Sequence, residues 1–349
     1  VRVKRAGQAA GAIALLAILA LSTVPTLALL PYRLAVGLQA RDIDESAALR
    51  PADTLIVEPD AGMDPLDAFL ASARRSVDLS MYELADPQAE SILAADAARG
   101  VRVRVILDQR PERARNQAAF TYLSGFGVAV HWAAAADNTF HIKSVCVDAA
   151  RCAVMTLNLT SRYYPTTRDF AVVDTDRADV AAIEGTFAGD FSGHPGVPSS
   201  GADLVWSPGS TPALADLIGS ASHTVLVYDE ELSDPTTVEA LAAAARRGVR
   251  VEVVMTYQSS WVRNFDVLTS AGAQVRVLVG EHPVYIHAKM IWVDGARVFL
   301  GSENLSVASL TRNRELGLIS GDPAIVQATE QTFEQDAVRA RLWSGRRGP

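Results

Sequence analysis

One set of polar residues occurs twice in this chain, and the second copy keeps the register of the first. His141-Ile142-Lys143 is matched by His287-Ala288-Lys289, and a shift of 146 residues carries His141, Lys143, Asp148, Asn158 and Arg168 onto His287, Lys289, Asp294, Asn304 and Arg314. The same shift takes Asp169 to Glu315. A single coincidence would carry no weight, but a shared register requires a duplicated unit. The surrounding sequence agrees. Val77 to Tyr82, Asp86-Pro87, a helical run ending in Arg99-Gly100 and the strand-like Val101 to Leu107 have counterparts in Thr224 to Tyr228, Asp234-Pro235, Arg247-Gly248 and Val249 to Met255. Arg115-Asn116 and Arg263-Asn264 correspond at a spacing of 148, so the halves differ by a two-residue gap ahead of the histidines.

Apolar strand-like runs alternate with Ala-rich helical stretches, which is the pattern of an α/β architecture. Asp-Pro is a sound helix start, and Gly100 and Gly248 suit a left-handed C-terminal cap. The chain divides into a first half over 53–192, a connector over 193–201 and a second half over 202–342, with a closing helix from Pro323 to Leu342 and a solvated basic tail over 343–349. With 49% hydrophobic residues there is ample material for a core.

Residues 1–37 stand apart from the repeat. Arg2, Lys4 and Arg5 precede a run from Ala9 to Leu30 without a single charge; its 22 residues exceed the signal-peptide core of about 7–15 and approach the roughly 20 that span a bilayer. The run reads as a cleaved signal peptide, with Ala35-Val36-Gly37 as a candidate cleavage site, or as an uncleaved membrane anchor. Positive residues ahead of it favour an N-terminus inside and the remainder outside. The expected location is therefore extracytoplasmic, secreted or anchored by an N-terminal transmembrane helix. Residues 38–52 form a polar linker. The only cysteines, Cys146 and Cys152, bracket a strand-turn-strand pattern; a disulfide there suits an oxidising compartment, and two buried thiols are the alternative.

In the second copy Lys289 to Val293 alternates toward Asp294-Gly295, a good turn, and Arg297 to Leu300 returns as a strand into Gly301-Ser302-Glu303-Asn304. Two residues apart on a strand, His287 and Lys289 point to one face, and the hairpin brings Ser302 and Asn304 near them. An ammonium, an amide and a hydroxyl together make a positive lining for a phosphoryl oxygen. Two copies supply two imidazoles, one to attack phosphorus and one to protonate the leaving alcohol. Asp169 and Glu315, each 28 residues beyond a histidine, are placed to accept from imidazole Nδ1 and hold the tautomer. Asp148 and Asp294 fall at turns and read as structural. No spacing suggests a zinc or two-metal site, and no cofactor is implied.

His287 to Asn304 fits H-x-K-x4-D-x6-G-S-x-N in full, and in this the chain resembles the phospholipase D superfamily over residues 76 to 320. The resemblance implies two similar α/β halves, each a mixed sheet flanked by helices, related by a pseudo-twofold axis with the active site between them. It implies a covalent phosphohistidine, no metal requirement, His141 as nucleophile and His287 as acid. Lys143, Lys289, Asn158 and Asn304 would be phosphate ligands, joined by the hydroxyls of Thr156 and Ser302. The first copy departs from the pattern, since Met155-Thr156-Leu157-Asn158 stands where Gly-Ser-x-Asn is expected. Met155 adds bulk where glycine allows close approach.

Other residues carry less. Asn158-Leu159-Thr160 and Asn304-Leu305-Ser306 are sequons by accident of the motif. His131, His194, His223 and His282 lack repeated partners and read as structural or surface residues. Phe140, Tyr163, Tyr164, Trp261 and Tyr285 are candidates to rim a cleft, and Arg110, Arg113, Arg115 and Arg263 fall in loops after strand ends, where α/β ligands bind. A formal net charge of -8 argues against a general nucleic-acid coat without excluding a local basic cleft. Export and the aromatic rim favour a phospholipid substrate and a membrane surface over nucleic acid, for a monomer that hydrolyses or transfers headgroups. An endonuclease and an inactive membrane-tethered binding module are the alternatives.

Overall fold

Each histidine-bearing segment opens an antiparallel hairpin whose turn places an aspartate in left-handed backbone. Lys289–Val293 pairs with Arg297–Gly301 across Asp294 and Gly295, at φ 54° and 68°; Lys143–Val147 pairs with Arg151–Met155 across Asp148 and Ala149, at 59° and 49°. Asp tolerates this region, and here its carboxylate also has work. Asp294 accepts from the amides of Ser222, His223 and Thr224 at 2.6–2.9 Å, and Asp148 from those of Arg74, Arg75 and Ser76 at 2.6–3.1 Å. Desolvation would raise both carboxyls, but these backbone amides outweigh it and hold them below the usual range. Each hairpin is thereby tied to the start of the strand beside it.

The computed structural model describes residues 54–134, 138–280 and 283–345. The charge-free N-terminal run, the linker 38–52 and His282 lie outside the described residues. In spatial order the first sheet runs Thr54–Glu58, Thr167–Asp174, Arg151–Met155, Lys143–Val147, Ser76–Met81, Arg102–Leu107 and Ala129–Trp132. The second repeats it as Leu204–Ser207, Glu315–Ser320, Arg297–Gly301, Lys289–Val293, Thr224–Tyr228, Arg250–Thr256 and Gln274–Leu278, with Arg341–Leu342 added at the edge. In each sheet the histidine-bearing hairpin and the strands on its outer side pair antiparallel, whereas Ser76–Met81, Arg102–Leu107 and Ala129–Trp132, and likewise Thr224–Tyr228, Arg250–Thr256 and Gln274–Leu278, pair parallel, giving the mixed α/β halves that the resemblance implies. Asp86 caps the helix Pro87–Ala98 and Asp234 caps Pro235–Arg246, each accepting from a first-turn amide.

The halves share backbone. Tyr285–Ile286 leaves its own sheet and pairs in parallel with Thr167 and Arg168, and Phe140 makes the reciprocal bridge to Arg314. One hydrophobic cluster joins them, holding Phe140, Phe170, Tyr228, Ile286, Leu316 and Phe333. Each half keeps a second core on its outer face. Two buried guanidinium groups cross the same boundary: Arg168 forms a fork on Asp336 at 2.7 and 3.1 Å, and Arg314 one on Asp190 at 2.9 and 3.1 Å. Asp190 and Asp336 are again 146 apart, and each lies on the long helix of the opposite half.

Three expectations change. The closing helix spans Pro323–Arg339 rather than reaching Leu342, because Ala340 is extended and Arg341–Leu342 joins the sheet edge. Trp343, expected to begin the tail, is buried against Phe265 and donates to Asp266 at 2.9 Å, a gain that further helix would forfeit. Met155 does not crowd the motif face: it is buried in the outer core above Ala171. In the second half Gly301 is required, since a Cβ there would come within 2.5 Å of Gly317 Cα and 2.9 Å of the Phe299 ring. The glycine serves packing beneath the motif rather than approach to a ligand. Cys146 and Cys152 face each other across their hairpin and form a disulfide, with Cα atoms 4.0 Å apart. Among the described residues no helix is long and apolar enough to cross a membrane.

Removing one partner from a buried ion pair strands the other charge. Asp336→Ala, which deprives Arg168 of its buried carboxylate, leaving it Asp60 and the Glu58 carbonyl, and the Tyr228 hydroxyl of one of its two acceptors, is expected to cost about 3 kcal/mol in denaturant unfolding, the low end for a broken buried pair. Glu239→Ala, at the exposed Arg246 pair, is expected to cost no more than about 1 kcal/mol.

Candidate active site

The backbone exchange between halves decides which acid meets which histidine. The His141 amide donates to the Arg314 carbonyl at 2.8 Å, and those of His287 and Ala288 to the Arg168 carbonyl at 3.3 and 2.9 Å. The residue after each arginine is the acid. His141 Nδ1 therefore lies 2.6 Å from Glu315 Oε2, and His287 Nδ1 lies 2.8 Å from Asp169 Oδ1. Asp169 and Glu315 do take the Nδ1 positions, each serving the imidazole of the opposite half. Glu315 is itself fixed by Ser309 Oγ at 2.6 Å and Asn313 Nδ2 at 3.0 Å, and Asp169 by Thr156 Oγ1 at 2.5 Å.

Both histidines line one cavity of about 330 Å³, together with Asn158, Asn304, Asp169, Tyr82, Tyr163, Tyr164, Tyr285 and Glu230. Among the described residues, Oδ1 of Asn158 and of Asn304 is buried without a hydrogen-bond partner. Buried polar groups are almost always paired, so two unpaired amide oxygens in one cavity mark a place for a ligand or water that donates hydrogen bonds. Their loops are well held: Leu159–Thr160 pairs with Leu84–Ala85, Leu305 bridges Leu232, and the Leu305 amide donates to Asp229. Asn116, which accepts from the Leu84 amide and donates to the Tyr82 carbonyl, and Asn264, which donates to the Leu232 carbonyl, pin the opposing loops from helices.

Lys143 and Lys289 lie fully buried beneath the histidines, each donating to the carbonyl of its own histidine. Burial, reinforced by the Lys289 ammonium, pushes Lys143 down to about 7. Burial is also the main reason His141 is pushed down to about 4 in spite of Glu315. Glu315 stays a carboxylate, because His141 and Lys143 outweigh the desolvation that would raise it. The first imidazole is thus neutral near pH 7, with Nδ1–H directed at a carboxylate and Nε2 free to act as a base or nucleophile.

Thr156 and Ser302 are not placed as ligands. Their hydroxyls are buried and accept from the amides of Phe170 and Leu316 at 2.8 and 3.1 Å, closing one strand on the next. Of the aromatic candidates Tyr163, Tyr164 and Tyr285 line the cavity, whereas Phe140 is buried in the shared core and Trp261 packs against the outer one. Of the arginines only Arg115 lines it, paired with Glu112 and Glu83, and Arg113 lies over the Trp132 ring. His131 stacks on Phe191. Among the described residues no group of three or more His, Cys, Asp or Glu side chains is arranged to hold a metal ion. Glu230, which the repeat does not single out, is 3.3 Å from Lys289 Nζ and 3.6 Å from His287 Nε2.

The family model described as cardiolipin synthase, phospholipase D-like domain matches residues 66–191 and 214–337, one copy in each half. The chain belongs to the phospholipase D superfamily. Its relatives there are phosphodiesterases and lipid hydrolases. A mitochondrial cardiolipin hydrolase of Xenopus laevis is 36% identical over 132 residues, which is 37% of this chain and 59% of that protein. A 5'-3' exonuclease of Rattus norvegicus is 32% identical over 110 residues, 29% of this chain and 22% of that one. The chain therefore spans less than two-thirds of the length of either relative. The phosphatidylserine synthase of Haemophilus influenzae Rd KW20 has the same fold, with a TM-score of 0.65 at 13% identity over 87% of this chain and 92% of that one.

The buried environment of His141 has a direct signature. Its imidazole is expected to titrate by NMR near pH 4, against about 6.5 for an ordinary histidine. Glu315→Gln removes a partner that favours the charged form, so the midpoint should fall further; a midpoint between pH 6 and 7 would contradict this electrostatic account.

Proposed function

We propose that this protein is an extracytoplasmic phosphodiesterase that hydrolyses or transfers phospholipid headgroups through a phosphohistidine on His141. The observation that carries the chemistry is the pair of imidazoles facing one cavity, each with Nδ1 on a carboxylate of the opposite half. His141, neutral at physiological pH, attacks phosphorus through Nε2. The bond from phosphorus to the headgroup oxygen breaks, and His287 Nε2 gives that oxygen its proton. His287 then takes a proton from water or an alcohol, whose oxygen displaces His141 and leaves phosphatidate or a new diester. Lys143, Lys289, Asn158 and Asn304 stabilise the phosphoryl oxygens, and an arriving anion favours the charged form of Lys143.

A lipid substrate is supported by the tyrosines lining the cavity and by the likeness to a cardiolipin hydrolase. Location outside the cytoplasm is supported by the disulfide and by the charge-free run from Ala9 to Leu30. A nuclease is the second reading, favoured by the likeness to the rat exonuclease. Against it stand Glu83, Glu112, Glu230 and Glu231, whose carboxylates line the cavity where a polyanion would enter.

Vesicles of phosphatidylcholine or phosphatidylglycerol with a primary alcohol and a chelator should give free headgroup and the exchanged lipid. Nicking of plasmid DNA without lipid turnover would reverse the choice. His141→Ala is expected to lower turnover by on the order of 10⁴-fold or more. His287→Ala should spare the first step on a p-nitrophenyl diester, whose leaving group needs no proton, and trap the phosphorylated protein. The acid limb of kcat/KM should fall near the His141 value of about 4, because the nucleophile is lost only when its imidazole is protonated.

A further inference from the structure

The two halves differ at one position over the buried lysines. Tyr82 and Glu230 are 148 apart, the spacing that also relates Asp86 to Asp234. In the first half the Tyr82 ring stands edge-on to His141 at 4.5 Å, with Lys143 Nζ 4.9 Å from its centre. In the second half a carboxylate takes that place. Glu230 Oε2 is 3.3 Å from Lys289 Nζ and 3.6 Å from His287 Nε2, and Oε1 accepts from the Tyr285 hydroxyl at 2.9 Å. Burial would raise the Glu230 carboxyl, but Lys289 and His287 outweigh it and hold it down to about 2. A permanent negative charge thus sits on the donors that a phosphoryl oxygen would use in this half.

The other carboxylates near the histidines are differently engaged. Asp169 and Glu315 are committed to Nδ1 of the rings, and Glu83 and Glu112 pair with Arg115. A phosphodiester brings one negative charge, whereas a phosphomonoester carries about 1.5 to 2 near pH 7. Hydrolysis at this site would release a monoester. We infer that Glu230 is a specificity-determining residue: its carboxylate takes up part of the positive potential of Lys289 and His287, so the cavity accepts a monoanionic phosphodiester and disfavours a dianionic monoester, including its own hydrolytic product. The inference rests on the phosphodiesterase reading of this cavity.

Calorimetric titration at pH 8 with inorganic phosphate, a dianion, and diethyl phosphate, a monoanion, tests it on wild type, Glu230→Gln and Glu239→Gln. Glu230→Gln should tighten phosphate over diethyl phosphate by a further factor on the order of ten, since the extra charge then meets no opposing carboxylate. Glu239→Gln, an exposed carboxylate that does not line the cavity, should leave that ratio nearly unchanged. Glu230→Ala should move it the same way as Glu230→Gln and guards against an effect peculiar to the amide. Equal tightening of both anions, or an equal shift in Glu239→Gln, overturns the inference. A shifted ratio in a protein that turns over no diester would sink the catalytic reading and leave the charge discrimination standing; turnover with an unmoved ratio sinks the inference alone.

Discussion

The arrangement depends on a pair of backbone hydrogen bonds that cross the pseudo-twofold axis. The amide of His141 is given to the carbonyl of Arg314, and the amide of Ala288 to that of Arg168. Because the next residue in each case is the acid, this exchange seats each imidazole on a carboxylate it does not share a half with. The arginines whose carbonyls are used also anchor by their side chains, on Asp190 and Asp336. The positions of both imidazoles are therefore set by the packing of one half on the other. Neither half alone holds a histidine with its acid.

Duplication supplies symmetry, and the exceptions to it supply difference in function. Glu58 lies opposite Asp169 in the strand register at a sheet edge and is pushed up to about 7, mainly by burial, so the carboxylate behind His287 has a neighbour only partly ionised near pH 7. In the other half Glu303 is raised well above the usual range, mainly by burial and then by the Glu315 carboxylate. Above the lysines the contrast is larger, a tyrosine ring on one side and an ionised carboxylate on the other. Two chemically equivalent histidines thereby meet different surroundings, as the proposed nucleophile and acid require.

The repeat makes the duplicated α/β halves, the hairpins and the histidine, lysine and asparagine pairs legible, because a fixed spacing of 146 relates those polar positions; that each sheet is mixed comes from the family resemblance. Spacing along the chain carries no information on which half an acid faces, so the exchange of Asp169 and Glu315 emerges only from the fold. Thr156 and Ser302 were matched by type, but a hydroxyl flanked by a strand amide closes the sheet before it reaches a ligand. Asp190 and Asp336 lay in the repeat register beside Arg168 and Arg314 and were open to the same reasoning. Glu230 is hidden for the opposite reason: its counterpart is a tyrosine, and a search for identities passes over a position where the halves differ. The helix end at Arg339 was missed because burial of Trp343 outweighs local helical preference.

The central claim is that the two imidazoles act on a single phosphorus atom, each braced by the other half. A crystal structure of the protein with orthovanadate tests it most directly. The account requires one vanadium between His141 Nε2 and His287 Nε2, bonded to one of them, with Nδ1 of the rings still on Glu315 and Asp169. Separate anions on the two histidines, or rings turned to the acids of their own halves, would contradict it.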